Sequence, residues 1–244
     1  MTDVKIKIEH KVFNLPKTGE KKVVIADLDI TLKSGEFVCL AGPSGCGKTT
    51  LLNILSGLDN NFQGSIELSQ SDTKPSIGYV FQNPRLLPWR TVRENLELAT
   101  KATPEFLDSL LATMKLSSEQ QTYPEQLSLG MSRRVSIIRA FANDPDILLM
   151  DEPFVSLDPP TARQVRQLLI KLWTERPHTV LFVTHDLREA ITLADRLIFL
   201  SNPPMSVIAE IPISISREER QNEARVELFR NKVFSDYPEV LGLL

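Results

Sequence analysis

The chain has 244 residues, a formal net charge of -3 and two cysteines, with 42% hydrophobic and 24% charged residues. This length accommodates one domain or two closely joined subdomains, and the slightly acidic balance excludes a nucleic-acid binder that acts through a broad basic face. No apolar run reaches the roughly 20 residues that span a bilayer, and the N-terminus lacks the apolar segment of a secretory signal, so we expect a cytoplasmic protein. Cys39 and Cys46 lie in neither a disulfide framework nor a zinc motif, and we expect both to be free thiols.

The chain begins with two predicted strands that form an antiparallel flank. Residues 4–8 alternate apolar and polar side chains, and residues 22–32 give a second extended stretch. Residues 36–41 are a short, nearly continuous apolar strand, which is typical of a strand buried on both faces of a parallel sheet.

That strand leads into a glycine-rich loop, Gly42-Pro43-Ser44-Gly45-Cys46-Gly47-Lys48-Thr49. A helix is expected to begin near Lys48 and to continue through the apolar-periodic run that starts at Thr50. The loop matches the phosphate-binding pattern G-x-x-x-x-G-K-[ST] at every fixed position. Its glycines allow several backbone N–H groups to approach phosphate oxygens, and the helix behind it adds unpaired N–H groups. Lys48 would reach the outer phosphates, and the hydroxyl of Thr49 would ligate Mg²⁺.

Phe13 lies upstream of this loop, between the two flanking strands. Its flat ring can stack on an adenine or pack in the core, and the residues alone weigh these alternatives equally.

The next segment inserts helices into the α/β pattern. Residues 64–68 and 77–81 are predicted strands, and the second strand ends at Gln82. Prolines then break the chain, a capping box at residues 91–94 opens one helix, and Thr103 with Pro104 opens another. An amphipathic helix that ends at Ala142 closes the insert.

The α/β pattern resumes with an apolar strand that ends in the adjacent carboxylates Asp151 and Glu152. After residues 156–160 we expect a helix from about Thr161 to Arg176, and then a strand that ends in His185. A helix at residues 187–194, strands at 197–200 and 206–213, and a terminal helix capped by Ser216 with Glu219 complete the chain.

The polar side chains that follow these strands are expected to converge on one nucleotide. Ligands of open parallel sheets bind outside the carboxyl ends of the strands, where the glycine loop, Gln82, the acidic pair and His185 all fall. Asp151 suits a role toward Mg²⁺, and Glu152 is free to act as general base on the attacking water. Taken singly, an acidic pair at a strand end or a single histidine is more often structural; together with the loop they favour a site.

In this order and spacing, the motifs resemble those of the ATP-binding-cassette (ABC) ATPases over nearly the whole chain. The resemblance includes an L-S-G-G-Q-type signature at residues 127–131 and an S-L-D loop at residues 156–158. It implies an α/β fold of the P-loop NTPase class, with a RecA-type mostly parallel core, an antiparallel β flank and an inserted α-helical subdomain. Residues 1–244 would form a single ABC ATPase domain, with the core at 1–88 and 143–202, the helical subdomain at 89–142 and a tail at 203–244.

The family resemblance also implies a head-to-tail pair of cassettes, a homodimer or a pair of different chains, with two ATP molecules at the interface. Ser128 and the Gly130 N–H would contact the γ-phosphate held by the other copy, and Asp158 would couple the two sites. The implied catalytic residues are Lys48, Gln82, Glu152 and His185, and the implied Mg²⁺ ligands are Thr49, Gln82 and Asp151. ATP would be bound by Phe13, by the loop from Gly42 to Thr50, and by Ser128 and Gly130.

The signature departs from the family pattern at two positions. Leu129 replaces the first glycine, which restricts the backbone, and Met131 replaces the glutamine and lacks its amide hydrogen bonds. We expect function to persist with an altered ATP affinity or dimer lifetime.

Residues 81–95 look like the corresponding stretch of importers of nitrate, sulfonate, taurine and related small molecules. The resemblance implies a separate integral-membrane permease, with a cytoplasmic helix docked beside Gln82 and the helical subdomain, and an extracytoplasmic solute-binding protein. The cassette would then be peripheral on the cytoplasmic face of the inner membrane. Leu86, Leu87, Trp89 and Arg90 can contact the permease or pack between subdomains, and both alternatives are open.

An ATPase of a lipid-transport or export system is the main alternative. A chromosome or repair ATPase is disfavoured because the separation of Lys48 and Ser128 leaves no room for a long coiled coil. A GTPase or metabolic kinase would use the same phosphate loop, but this class is disfavoured because the only Asn-Lys pair, Asn231-Lys232, is not part of an N-K-x-D motif.

Overall fold

The computed structural model describes residues 3–14, 20–68 and 75–243, which fall into two compact units. The first unit combines residues up to 75 with residues from 179 onward, and the second unit is residues 76–178. Each unit is described by itself below.

The described elements alternate strands and helices, with a helical stretch in the middle. The strands are β1 (Val4–Asn14), β2 (Lys21–Leu32), β3 (Phe37–Ala41), β4 (Gln63–Leu68), β5 (Ile77–Val80), β6 (Ile147–Asp151), β7 (Thr179–Val183), β8 (Arg196–Leu200) and β9 (Val207–Pro212). The helices are α1 (Lys48–Leu55), α2 (Val92–Glu97), α3 (Pro104–Thr113), α4 (Leu129–Phe141), α5 (Pro159–Glu175), α6 (Leu187–Leu193) and α7 (Glu223–Asp236). Short 3₁₀ helices lie at Ser117–Glu119, Pro124–Gln126, Glu219–Gln221 and Pro238–Val240.

The first unit contains the predicted antiparallel flank. Its strands have the order β2, β1, β4, and β1 is antiparallel to both neighbours. Val4, Ile6 and Ile8 of β1 are fully buried and the lysines between them are exposed, because alternate side chains of a strand point to opposite faces.

The first unit also contains the strand that delivers the glycine loop. β3 is parallel to β7 on one side and to β8 on the other, and β9 runs antiparallel to β8. Every residue of β3 and of β7 is buried, as continuous apolar runs predict for inner parallel strands.

The second unit pairs two parallel strands with the inserted helices. β5 and β6 pair from Ile77 with Ile147 to Val80 with Met150. Gly78 lets α4 come close to this pair, since a Cβ atom there would lie 2.5 Å from the Ala140 carbonyl oxygen. The capping box of Thr91 and Glu94 and the Thr103 cap are present as predicted. The α/β class, the antiparallel flank and the helical insert are thus confirmed.

The predicted start of the terminal helix is wrong. Ser216 and Glu219 do exchange hydrogen bonds, with the Ser216 N–H donating to Oε2 of Glu219 at 3.1 Å and the Glu219 N–H donating to Oγ of Ser216 at 3.3 Å. Only a 3₁₀ turn follows, because Asn222 leaves helical geometry and its side chain accepts the Ala224 N–H at 2.9 Å. α7 therefore begins at Glu223.

In the described part of the chain, no helix is both long enough and apolar enough to cross a bilayer.

Candidate functional site

The glycine loop joins β3 to α1, so the predicted strand, loop and helix are present in that order. Gly45 and Gly47 have φ angles of +75° and +124°, a region that side chains other than glycine rarely adopt. Gly42 lies against β8, where an added Cβ would be 3.1 Å from the carbonyl oxygen of Leu200. Backbone geometry therefore requires glycine at positions 45 and 47, and close packing requires it at position 42.

Lys48 is folded back over this loop. Its Nζ donates to the carbonyl oxygen of Gly42 at 2.7 Å and to that of Pro43 at 2.9 Å, and it lies 3.9 Å from Sγ of Cys46. Lys48 is 7% exposed, whereas Thr49, the next residue, is exposed in the first turn of α1. The ammonium group therefore lies inside the loop, and Thr49 is the exposed residue beside it. Cys39 and Cys46 are buried free thiols, as predicted.

His185 lies at the same sheet edge as the loop. Leu40 of β3 pairs in parallel with Val183 of β7, so both strands end at one edge, and His185 follows β7 as an exposed residue. Asp186 then caps α6 by accepting the N–H groups of Arg188 and Glu189. The first unit thus brings the loop and the histidine to one edge.

Phe13 lies on β1 and is 41% exposed, so its ring is not enclosed in the core. The next strand, β2, connects it to the loop: Val12 pairs with Val23, and Cγ1 of the adjacent Val24 would be 2.9 Å from a Cβ on Gly47. Neighbouring strands are about 4.8 Å apart, so β1, which contains Phe13, lies one strand spacing from Val24, the residue of β2 that touches the loop.

The second unit brings Gln82, Asp151 and Glu152 to one edge of the β5 and β6 pair. Gln82 lies shortly beyond β5, Asp151 is the last residue of β6, and Glu152 follows with a φ of 43°. Asp151 is 5% exposed, while Glu152 is half-buried and Gln82 is exposed. Tyr79 of β5 pairs with Leu149, two residues before Asp151, and burial followed by the negative charge of Asp151 raises the pKa of Tyr79.

The predicted signature forms the start of α4. Ser128 is the N-cap residue, and its Oγ accepts the Met131 N–H at 3.2 Å. Gly130 is buried, and an added Cβ there would lie 2.5 Å from Cγ2 of Thr161 on α5. Leu129 is 41% exposed, so the side chain that departs from the family pattern faces outward.

Asp158 lies at the start of α5, close to the signature. Its carboxylate accepts the Thr161 N–H at 3.1 Å, and this backbone hydrogen bond is the main reason why the pKa of Asp158 is below its usual value. Thr161 thus contacts both Gly130 and Asp158, and the signature and the S-L-D loop meet at this threonine.

Two arginines of α4, which the sequence analysis did not single out, hold the backbone around Gln82. Arg133 is 2% exposed, and its guanidinium donates to the carbonyl oxygen of Phe81 at 3.2 Å. Arg139 donates to the carbonyl oxygens of Pro84 at 2.7 Å and Arg85 at 2.9 Å. Burial lowers the pKa of both arginines. No sequence signal marked them, because their partners are backbone carbonyl oxygens.

The candidate residues therefore form two groups within the described units. The first unit holds Phe13, the loop and His185, and the second unit holds Gln82, the acidic pair, the signature and Asp158. No cluster of three or more His, Cys, Asp or Glu side chains that could hold a metal ion occurs among the residues that the structure describes. The available donors are hard oxygens and few in number, which fits Mg²⁺, because this ion takes one or two protein ligands together with phosphates and waters.

Residues 25–155 match the family model described as ABC transporter. The aliphatic sulfonates import ATP-binding protein SsuB of Bacillus subtilis (strain 168) is 36% identical over 247 residues, covering 98% of this chain and 96% of that protein. The chain belongs to the ABC transporter family.

Other relatives place this ABC cassette among ATP-binding subunits. The nitrate import ATP-binding protein NrtD of Synechococcus elongatus is 39% identical over 217 residues, covering 84% of this chain and 79% of that protein. Among solved structures, the dimeric post-hydrolysis state of the ATP-binding cassette MJ0796 with ADP and Pi has a TM-score of 0.74 and 33% identity, and covers 87% of this chain and 100% of that one. The cassette is accordingly an ATP-hydrolysing enzyme, as the motifs predicted.

Proposed function

We propose that this ABC cassette hydrolyses ATP to drive the import of a small solute of the sulfonate and nitrate class through a separate membrane permease. The observation that carries the proposal is the likeness to import ATP-binding proteins along nearly the full length of both chains. The main alternative, a lipid-transport or export ATPase, has no comparable support among these relatives.

We assign the nucleotide roles residue by residue. The loop from Gly42 to Thr50 and the Lys48 ammonium bind the phosphates, and Phe13 stacks on the adenine. When bound, Mg²⁺ supplies charge neutralisation between the phosphate oxygens, and Thr49, Asp151 and Gln82 would hold it. Glu152 accepts the proton of the attacking water, and His185 contacts the γ-phosphate.

The outward-facing start of α4 supports the proposal that a second cassette completes the site. Ser128 and the Gly130 N–H would contact the γ-phosphate held by the partner, because the first N–H groups of a helix favour anions. Asp158, held by Thr161, would couple the two sites. Leu129 would meet the partner at this surface and alter the dimer lifetime.

A membrane partner is supported by the surface that follows Gln82. Trp89 is 68% exposed, and Leu86 and Leu87 beside it are half-buried. An exposed tryptophan next to apolar side chains is typical of an interface with another protein. We propose that this surface, together with Arg90, docks a cytoplasmic helix of the permease, that an extracytoplasmic solute-binding protein delivers the solute, and that the cassette works on the cytoplasmic face. We also retain the division into a core at 1–88 and 143–202, a helical subdomain at 89–142 and a tail at 203–244.

The test is capture of the complex from membranes. A tagged Glu152→Gln variant would be purified from detergent-solubilised membranes with ATP and Mg²⁺, and the co-purifying proteins identified by mass spectrometry. We expect a multi-span permease, and a solute-binding protein when the intact system is captured. Glu175→Gln, at an exposed position of α5, is the matched control for the glutamate-to-glutamine change, and membranes without the tagged protein control for nonspecific capture. An export-type or lipid-transport membrane subunit, or soluble partners alone, would overturn the proposal.

A further inference from the structure

A buried lysine lies under the ring of Phe13. Lys11 of β1 is 1% exposed, and its Nζ is 4.5 Å from the centre of the Phe13 ring. A cation within about 6 Å of an aromatic face is attracted by the electron density of the ring, and the attraction is strongest where water is excluded. Lysine is almost never fully buried unless its charge is paired, so this side chain has a specific set of partners.

Those partners come from the segment that follows α1, the helix behind the glycine loop. Nζ of Lys11 contacts Oδ1 of Asp59 at 2.8 Å and Oδ2 at 2.6 Å, and it donates to the carbonyl oxygen of Asn61 at 2.7 Å. The Asn61 N–H in turn donates to Asp59 at 3.0 Å. Burial acts to raise the pKa of Asp59, but the hydrogen bonds from Lys11 and Asn61 outweigh it, and the pKa lies below its usual value. Nζ of Lys11 is thus held in a defined position by Asp59 and Asn61.

An irregularity in β1 directs Lys11 inward. The buried positions Val4, Ile6 and Ile8 predict that the next even-numbered residues are buried too, yet His10 is exposed and Lys11 is buried. The register of β1 shifts against β4 between Ile8 and His10, and against β2 between Lys11 and Val12. Bulges of this kind re-aim side chains and are over-represented beside functional sites.

The ring of Phe13 therefore has Lys11 against one face while 41% of the residue stays exposed. An aromatic ring that only packs in the hydrophobic core does not need a cation against its face. A ring that only lies on the solvated surface does not need a buried lysine beneath it. A ring held from one side, next to the strand whose Val24 touches the loop at Gly47, is suited to stack on a flat ligand with its other side.

We propose that Lys11 is a positioning residue for the purine base of the nucleotide. The inference rests on the proposed function, in which Phe13 stacks on adenine. The ammonium group holds the Phe13 ring at a set angle, and it draws π-electron density toward itself, so that the open face becomes more attractive to an electron-rich purine. Asp59 and Asn61 hold Lys11, and they connect the base-binding strand to the end of the helix whose start binds phosphate.

The experiment separates binding of the base from binding of the phosphates. Dissociation constants would be measured by calorimetry for MgATP and for magnesium tripolyphosphate, which has the phosphates without the base. The variants are Lys11→Gln, whose amide keeps a hydrogen bond to Asp59 without the charge, Lys11→Met, Phe13→Leu, and the double variant Lys11→Gln with Phe13→Leu. Lys7→Met, at an exposed lysine of the same strand, is the matched control.

We expect Lys11→Gln and Phe13→Leu each to weaken MgATP binding roughly three- to tenfold while tripolyphosphate binding is unchanged. In the Phe13→Leu background, removing the lysine should have no further effect, because it acts through the ring. Lys11→Met should behave as Lys11→Gln does if it folds, and Lys11→Gln carries the test if it does not.

Two outcomes would overturn the inference, and they are distinguishable. Lys11 is only structural if Phe13→Leu selectively weakens the binding of MgATP and Lys11→Gln does not. The same holds if Lys11→Gln weakens the binding of both ligands equally. In either case the role of Phe13 stands. If Phe13→Leu leaves the ratio of the two constants unchanged, the proposed adenine stacking fails, and the role of Lys11 fails with it.

Discussion

Gly130 and Thr161 approach so closely that a single Cβ atom on the glycine would lie 2.5 Å from Cγ2 of the threonine. The contact joins the start of α4 to the start of α5, and thus the signature to the loop that contains Asp158. Because the backbone of Gly130 is in an ordinary helix, the space and not the φ angle requires glycine there.

We predict that Gly130→Ala destabilises the protein by about 1–3 kcal/mol through overpacking and lowers ATPase activity by shifting α4. The measurement is urea unfolding together with steady-state hydrolysis. Thr161→Ser removes only the clashing methyl group and keeps the hydroxyl, so the double variant should recover most of the lost stability. Equal stability of Gly130→Ala and the wild type would contradict the packing argument.

Glu152→Gln should retain ATP binding and lose about 10² to 10⁴ in turnover, because a positioned general base typically contributes that factor. Glutamine has the same length and can adopt the φ of 43° at this position as readily as glutamate. Phosphate release measured beside ATP affinity tests this, with Glu175→Gln as control. Near-normal hydrolysis would remove Glu152 from the assigned role.

The lowered pKa of Asp59 predicts that the free energy of unfolding depends on pH. Since its pKa is lower in the folded protein than in the unfolded chain, the carboxylate stabilises the fold above the unfolded value of about 4, and this contribution is lost as the pH falls through the folded pKa. Asp59→Asn should therefore lower the urea midpoint at pH 7, and the difference from wild type should shrink as the pH falls below about 4. A difference that grows in acid would show the opposite sign and reject the pairing with Lys11.

Arg139→Lys should loosen the segment after Gln82. The guanidinium of Arg139 donates to the carbonyl oxygens of both Pro84 and Arg85, and the ammonium of a lysine lacks that planar pair of donors. We expect faster amide hydrogen exchange within residues 82–90. Arg134→Lys is the matched control, because Arg134 donates to the carbonyl oxygens of Met114 and Lys115 instead. Unchanged exchange in the Arg139 variant would show that the hydrogen bonds do not hold this segment.

Much of the fold was predictable because its signals are local. The glycine loop, the Thr91 capping box and the largely apolar strands β3 and β7 each carry their structure in a short stretch of sequence. The start of α7 was not predictable in this way, since Ser216 and Asn222 are both good caps and the chain uses Asn222 for the helix.

The candidate site was predictable where motifs carry it and hidden where long-range contacts do. Lys11 pairs with Asp59 and Asn61, far along the chain, and only a break in the alternation of β1 signals it. Arg133 and Arg139 bond to backbone oxygens, which no sequence pattern records, and the closeness of Gly130 to Thr161 depends on how α4 packs on α5.

The hydrogen bonds from α4 to the segment after β5 end on carbonyl oxygens, and every amino acid has one. Residues 81, 84 and 85 can therefore change identity during evolution without losing their connection to the helix, provided that the path of the backbone is kept. Such a connection leaves the side chains of this segment free to diverge and, under the docking proposed above, to match different membrane partners, while the helix that begins with the signature stays the same. The segment after β5 can thereby vary the partner that it recognises, while α4 keeps the same ATPase residues.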